Sequence, residues 1–113
     1  MFAHAKYSTD YQDSNYIEWD RTPVNSDDKI VFYTETSFNQ VKEGNQIKIG
    51  WLAESPLIAI HAHEWIKHNN KIFTYVLTHN KELLDRGENF IYFPVGGCWI
   101  KPEDQTIYEK NKL

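Results

Sequence analysis

The chain lacks the features that would assign it to a membrane-spanning or secreted class. Its 113 residues contain one cysteine, Cys98, which excludes an intramolecular disulfide framework and is compatible with a reducing compartment. No apolar run approaches the roughly 20 residues of a bilayer-spanning helix. The start, MFAHAKYSTD, has no apolar segment typical of a secretory signal. We therefore expect a soluble, cytoplasmic protein with no membrane span.

Basic residues and glycines are also sparse. Lys and Arg number 12 against 16 Asp and Glu, giving a net charge of −4 with no basic block. A nucleic-acid-binding domain shows a basic stripe, so we expect no nucleic-acid partner. None of the five glycines forms a phosphate-binding loop: Gly50 falls inside a predicted strand, and Gly96-Gly97 lacks a following helix and lysine. We expect no cofactor and no metal on this chain.

Strand and helix patterns alternate through the middle of the chain. Short runs of β-branched and aromatic residues are typical of strands, and Ser55-Pro56 supplies a helix N-cap followed by proline. Gly87 is placed to end a helix in the left-handed conformation. The segment Glu35–Asn45 allows one helical turn at most. The predicted strands are Lys29–Thr34, Ile47–Ala53, Ile72–Thr78 and Phe90–Pro94, and the predicted helices are Pro56–His68 and Lys81–Arg86.

This alternation predicts an α/β fold. Short connections between strands imply parallel pairing and right-handed crossovers, so we expect a three-layer, Rossmann-like, mostly parallel sheet with flanking helices. The length fits a single domain over residues 1–113. Within it we expect an irregular N-terminal segment over 1–28, a βαβαβ core over 29–100 and a tail over 101–113.

Polar residues collect where the predicted strands end. Glu35, Glu54 and Ser55 each follow a strand, and His79 and Asn80 follow the next one. Parallel sheets bind their ligands outside the carboxyl ends of the strands, so these residues are candidate site residues. Loop starts and helix caps explain Ser55 and Asn80 equally well. Glu54 is harder to explain in that way. A carboxylate at a strand end must be paired with another group, be hydrated by solvent or have a functional role.

Three segments in this order resemble the acceptor-side lobe of glycosyltransferase family 10, and most closely its short phage and marine bacterial members. They are KIGWLAESP, FTYVLTHNKELL and FIYFPVGGCWI. That family has a basic residue and an acid at the two ends of one strand, then a strand of the FDYV-T-x-x-x-EL kind, then a P-x-G-G/T-x-W turn. The matching positions here are Lys48 to Glu54, Phe73 to Leu83, and Pro94 to Trp99. The resemblance covers about residues 29–113.

The resemblance implies a fucosyltransferase-like enzyme with two Rossmann-type lobes. Such enzymes transfer a sugar with inversion from a nucleotide diphosphate donor to a hydroxyl, and they need a general base on the acceptor side. The family's strand-end acid maps onto Glu54, which makes Glu54 the candidate catalytic base. His79 is the candidate for orienting a glycan or other hydroxyl acceptor, with Asn80, Glu35 and Ser55 as further acceptor-binding candidates.

The donor-binding lobe of that family has no counterpart in this sequence. Its basic and glycine-rich nucleotide contacts are missing, and residues 1–28 match nothing in the family. We therefore expect a fragment whose partner is a missing C-terminal lobe. That lobe would bind the nucleotide-diphosphate sugar, and the fragment alone would be inactive.

Two other interpretations remain open. One is a small, non-catalytic α/β binding or assembly module that forms a homodimer, since large apolar patches seldom stay bare. The other is a metal-dependent hydrolase built on His61, Glu64 and His68, which share one helix face while His63 points elsewhere. A solvated helix face explains that trio more simply. Whether the chain is an enzyme stays open at this point.

Overall fold

A computed structural model of the chain describes residue 20, residues 22–94 and residue 103. The predictions for Gly96, Gly97 and Cys98, and for most of both terminal segments, lie outside these residues. No helix among those described is long and apolar enough to cross a membrane. The strands are β1 (Ile30–Thr34), β2 (Ile47–Leu52), β3 (Tyr75–Thr78) and β4 (Phe90–Tyr92), the helices are α1 (Ile60–Asn69) and α2 (Lys81–Leu84), and two 3₁₀ helices cover Glu35–Gln40 and Asn70–Ile72.

The four strands form one all-parallel sheet in the order β1-β2-β3-β4, which confirms a mixed α/β fold. Each new strand is added on the same side of the one before, so right-handed crossovers place all three connections on one face. Phe38, Ile66 and Leu83, one from each connection, lie in a single buried cluster with residues of all four strands. Residues 22–94 thus form two layers, and the second helical layer expected from the sequence is not among them.

The start of α1 differs from the sequence prediction. The helix begins at Ile60, and Ala59 is its N-cap without a side-chain hydrogen bond. The Ser55 carbonyl instead accepts from the backbone N–H groups of Ile58 and Ala59, at 3.0 and 2.9 Å, and closes a tight turn. The predicted capping role of Ser55 is therefore wrong. Ile58 lies in this turn and is 73% exposed.

The predictions around β3 and α2 hold in part. Asn80 caps α2 as expected, and Gly87 has the left-handed φ of 70°. The strand begins at Tyr75 and not at Ile72, because Asn70–Ile72 forms a 3₁₀ turn. Phe73 follows that turn and lies in the buried cluster at 4% exposure.

Phe73 is the centre of the aromatic core between the sheet and the helices. Its ring centroid lies 6.0 Å from that of Tyr33, 5.3 Å from Phe38 and 6.4 Å from Trp65. A Cβ atom added to Gly50 would meet the same ring at 3.2 Å. Glycine at this position of β2 therefore lets the ring approach the strand backbone closely.

Candidate functional site

An open cleft of about 350 Å³ lies at the carboxyl ends of β2, β3 and β4. This volume is at the low end of the range for small-molecule sites, about 300–1,000 Å³. Three residues predicted from the sequence, Glu54, Ser55 and His79, line it together. The described residues that line it are Ala53, Glu54, Ser55, Ile58, His79, Tyr92 and Pro94.

Glu54 has a fixed backbone and a side chain without a protein partner. Its N–H donates to Oε1 of Glu35 at 2.7 Å, and its carbonyl oxygen lies 3.0 Å from Nε2 of His63. Its half-buried carboxylate makes no hydrogen bond or ion pair within the described part of the chain. The protein therefore holds this acid in place at the cleft and leaves its oxygens available.

His79 lines the same cleft. Its Nδ1 is buried and has no hydrogen-bond partner among the described residues. A buried polar atom left without a partner costs about 1–3 kcal/mol. His79 is therefore a cleft residue with one ring nitrogen that no described residue satisfies.

Glu35 and Asn80, two predicted acceptor-binding residues, lie outside the cleft lining. Glu35 uses its carboxylate to hold the Glu54 N–H. Asn80 accepts from the Glu82 N–H through Oδ1 at 3.0 Å, and its Nδ2 lies 3.1 Å from Nδ1 of His63. Both side chains therefore stabilise the arrangement of the cleft residues through hydrogen bonds and do not line the cleft themselves.

Two residues of this region escaped the sequence prediction. His63 is 2% exposed on α1 and contacts the Glu54 backbone. Its spacing of three from Ile66 was a usable signal, because residues three apart share a helix face. Tyr92 lines the cleft at 63% exposure. An aromatic residue at the end of a strand gives no such signal, since most of them are core.

Lys67 joins the two helices behind the cleft. Its ammonium lies 2.8 Å from a carboxylate oxygen of Glu64 on α1 and 2.8 Å from one of Glu82 on α2. The hydrogen bonds that Lys67 donates to Glu64 and Glu82 raise the pKa of Lys67, and the one that Glu64 accepts lowers the pKa of Glu64. This bridge links α1 to the first turn of α2, which Asn80 caps.

The helical trio His61, Glu64 and His68 does not form a metal centre. Within residues 22–94 no group of three or more His, Cys, Asp or Glu side chains is arranged to hold a metal ion. Glu64 is paired with Lys67, and all three members of the trio face solvent. The structure gives the metal-dependent hydrolase interpretation no support.

The parallel sheet by itself does not identify a function, because unrelated activities share such folds. The geometry at the carboxyl ends of the strands is therefore the basis for any functional assignment. Comparisons of the chain with protein-family models, with curated proteins and with solved structures gave no match in any of the three.

Proposed function

We propose that this chain is the acceptor-side lobe of a nucleotide-sugar-dependent, fucosyltransferase-like glycosyltransferase. The observation that carries the proposal is Glu54, a residue that lines the cleft with both backbone groups held and with no described partner for its carboxylate. In an inverting transfer, such a base removes the proton of the acceptor hydroxyl as that oxygen bonds to the anomeric carbon. The nucleoside diphosphate leaves from the opposite side with the electron pair of the broken bond.

The cleft chemistry favours a neutral hydroxyl compound over a nucleotide. No cationic side chain is among the described residues that line the cleft, and the Glu54 carboxylate would repel a phosphate. The exposed ring of Tyr92 offers a flat apolar face for a sugar. His79 also lines the cleft, and a hydroxyl can donate a hydrogen bond to an imidazole nitrogen or accept one from it.

The donor, on this proposal, binds to a second lobe that faces the cleft. Open parallel sheets bind ligands where the strand order reverses, and β1 to β4 contain no reversal. A cleft without a reversal is only part of a site in this class of fold. A Rossmann-like lobe that closes over Glu54 and His79 would complete it.

Titration of the ¹⁵N-labelled chain with neutral di- and trisaccharides tests the acceptor assignment. We expect millimolar binding, about −4 kcal/mol, with amide shift changes centred on Glu54, Ser55 and His79. His79→Ala should weaken the binding, and His68→Ala, on the exposed face of α1, should not. Guanosine diphosphate at the same concentration should leave the cleft unshifted. Saccharides that shift nothing there, or a nucleotide that does, would contradict the proposal.

A non-catalytic assembly module is the second candidate, and the outer face of the sheet favours it. By strand register this face is opposite the buried cluster, and none of its strand positions carries a charge. Parallel sheets are normally covered on both faces, and an uncharged apolar face is complementary to a second copy of itself. Its exposed members are Ile30 at 56%, Ile47 at 44%, Tyr75 at 47% and Ile91 at 41%.

Sedimentation equilibrium separates this candidate from the first. An assembly module is expected to sediment as a dimer at micromolar concentration. The substitution Ile91→Lys should return it to a monomer, because burying an unpaired ammonium on this face is unfavourable. A wild-type chain that stays monomeric at all concentrations would rule out the dimer.

A further inference from the structure

His63 connects two loops at the carboxyl end of the sheet. It is 2% exposed on the buried face of α1. Its Nε2 lies 3.0 Å from the carbonyl oxygen of Glu54, which follows β2. Its Nδ1 lies 3.1 Å from Nδ2 of Asn80, which follows β3. One imidazole ring thus spans the ends of two neighbouring strands.

The partners of the ring fix its protonation state. A carbonyl oxygen only accepts hydrogen bonds, so Nε2 of His63 must carry a proton. Oδ1 of Asn80 accepts from the Glu82 N–H at 3.0 Å, which turns the amide nitrogen of Asn80 toward the ring. That nitrogen donates to Nδ1, so Nδ1 must be unprotonated. The contacts on both sides therefore require the neutral Nε2–H tautomer.

We propose that His63 is a positioning residue of the cleft, acting through this tautomer. It ties the Glu54 carbonyl to the Asn80 side chain, while Glu35 holds the Glu54 N–H from the other side. With both backbone groups held, the peptide units around Glu54 are prevented from rotating. The backbone that carries the Glu54 side chain is thereby fixed relative to His79, which directly precedes Asn80.

The tautomer of His63 follows from its hydrogen-bond partners alone and does not depend on any activity of the protein. Its consequence for an acceptor rests on the proposed function. Loosening the support of a site by a fraction of an ångström weakens binding and turnover even when the fold survives. We therefore expect the loss of His63 to reduce saccharide affinity without removing any atom that lines the cleft.

Long-range ¹H–¹⁵N NMR of the unliganded chain at neutral pH tests the tautomer. We expect a protonated, pyrrole-type ¹⁵N shift for Nε2 of His63 and a pyridine-type shift for Nδ1. The exposed rings of His61 and His68 should give averaged shifts and are internal controls. An averaged pattern at His63, or the Nδ1–H tautomer, would overturn the inference.

The variant Asn80→Asp makes the test sharper. Aspartate retains an acceptor for the Glu82 N–H and places a second acceptor beside Nδ1 of His63. The ring then has acceptors on both sides, so both nitrogens should become protonated and show pyrrole-type shifts. An unchanged ring spectrum in this variant would contradict the role of Asn80 in holding the tautomer.

Saccharide titration of His63→Gln tests the positioning role, with His68→Gln as the matched control. We expect about a tenfold weaker apparent affinity in the first variant and no change in the second. Equal binding by wild type and His63→Gln would overturn the positioning role. If the wild type binds no saccharide, the proposed function fails, whereas the ring spectra still decide the tautomer. If His63→Gln does not fold, the comparison is made with Asn80→Ser, which keeps a cap for α2 but lacks the amide donor to Nδ1 of His63.

Discussion

Replacement of Phe73 by alanine is expected to lower the free energy of unfolding by about 3–5 kcal/mol. The ring is 4% exposed and contacts Tyr33, Phe38 and Trp65 from the two sides of the core. Its removal loses the transfer free energy of a buried aromatic ring and leaves a cavity. Because a small domain is stable by about 5–15 kcal/mol, the loss is a large part of the total.

Collapse of the surroundings would not fill that cavity. On the sheet side the neighbour is Gly50, which has no side chain to move into the space. On the helix side, Phe38 and Trp65 are already stacked on each other at 5.7 Å. The cost should therefore lie near the upper end of the range for this kind of substitution.

Urea denaturation followed by circular dichroism measures the effect. Tyr75→Ala is the control, since this side chain lies two residues along the chain and is 47% exposed, so a change within about 1 kcal/mol is expected. Phe73→Leu should fall between the two and keeps the measurement possible if Phe73→Ala is unfolded. A loss below about 1 kcal/mol for Phe73→Ala would contradict the central role of this ring.

The sequence was sufficient to predict the parallel sheet but not the distribution of its helices. Strand and helix periodicity placed β1 and β2 to within a residue. The face of the sheet on which each helix packs depends on which strands pair with each other. That pairing is determined across connections of 11 to 22 residues and leaves no local signal. The sequence therefore predicted three layers, whereas the described residues form two.

The pair Ser55-Pro56 illustrates an ambiguity that local chemistry cannot resolve. Proline favours the first position of a helix and also the second position of a β-turn, because both need a φ near −65°. The structure has the turn, with Ile58 and Ala59 donating to the Ser55 carbonyl. The helix is delayed to Ile60, and Ile58 is exposed at the cleft instead of buried in the core.

Residues of the candidate site could be predicted where their position after a strand is sufficient to place them. They could not be predicted where contacts between distant parts of the chain place them. Glu54, Ser55 and His79 line the cleft because they follow strands of a parallel sheet. The supporting hydrogen bonds join residues 19, 9 and 17 positions apart along the chain. No local pattern encodes such pairs. Glu35 and Asn80 were therefore predicted to bind a ligand, and His63 was not predicted to contribute to the site.

If the chain acts as proposed, substitution of Glu54 by glutamine is expected to lower the rate of sugar transfer by about 10²–10⁴-fold, the usual contribution of a general base. Glutamine has the same shape and retains one accepting oxygen, but it cannot take up the proton of the acceptor hydroxyl. Backbone contacts hold this residue, so the variant should fold normally. Saccharide affinity should remain within about threefold of wild type, less than the tenfold step of 1.4 kcal/mol. The measurement is kcat in an enzyme that contains both the acceptor-side and the donor-binding lobes.

Two further acids separate catalysis from support in that measurement. Glu43→Gln changes an exposed carboxylate in the loop before β2 and should leave kcat unchanged. Glu35→Gln keeps an oxygen that accepts from the Glu54 N–H, so a loss below about tenfold is expected from weakened positioning alone. If Glu54 is the general base, kcat should fall strongly in Glu54→Gln and only slightly in Glu35→Gln. Near-normal turnover of Glu54→Gln would remove Glu54 as the base, and equal losses at both acids would assign them a shared supporting role instead.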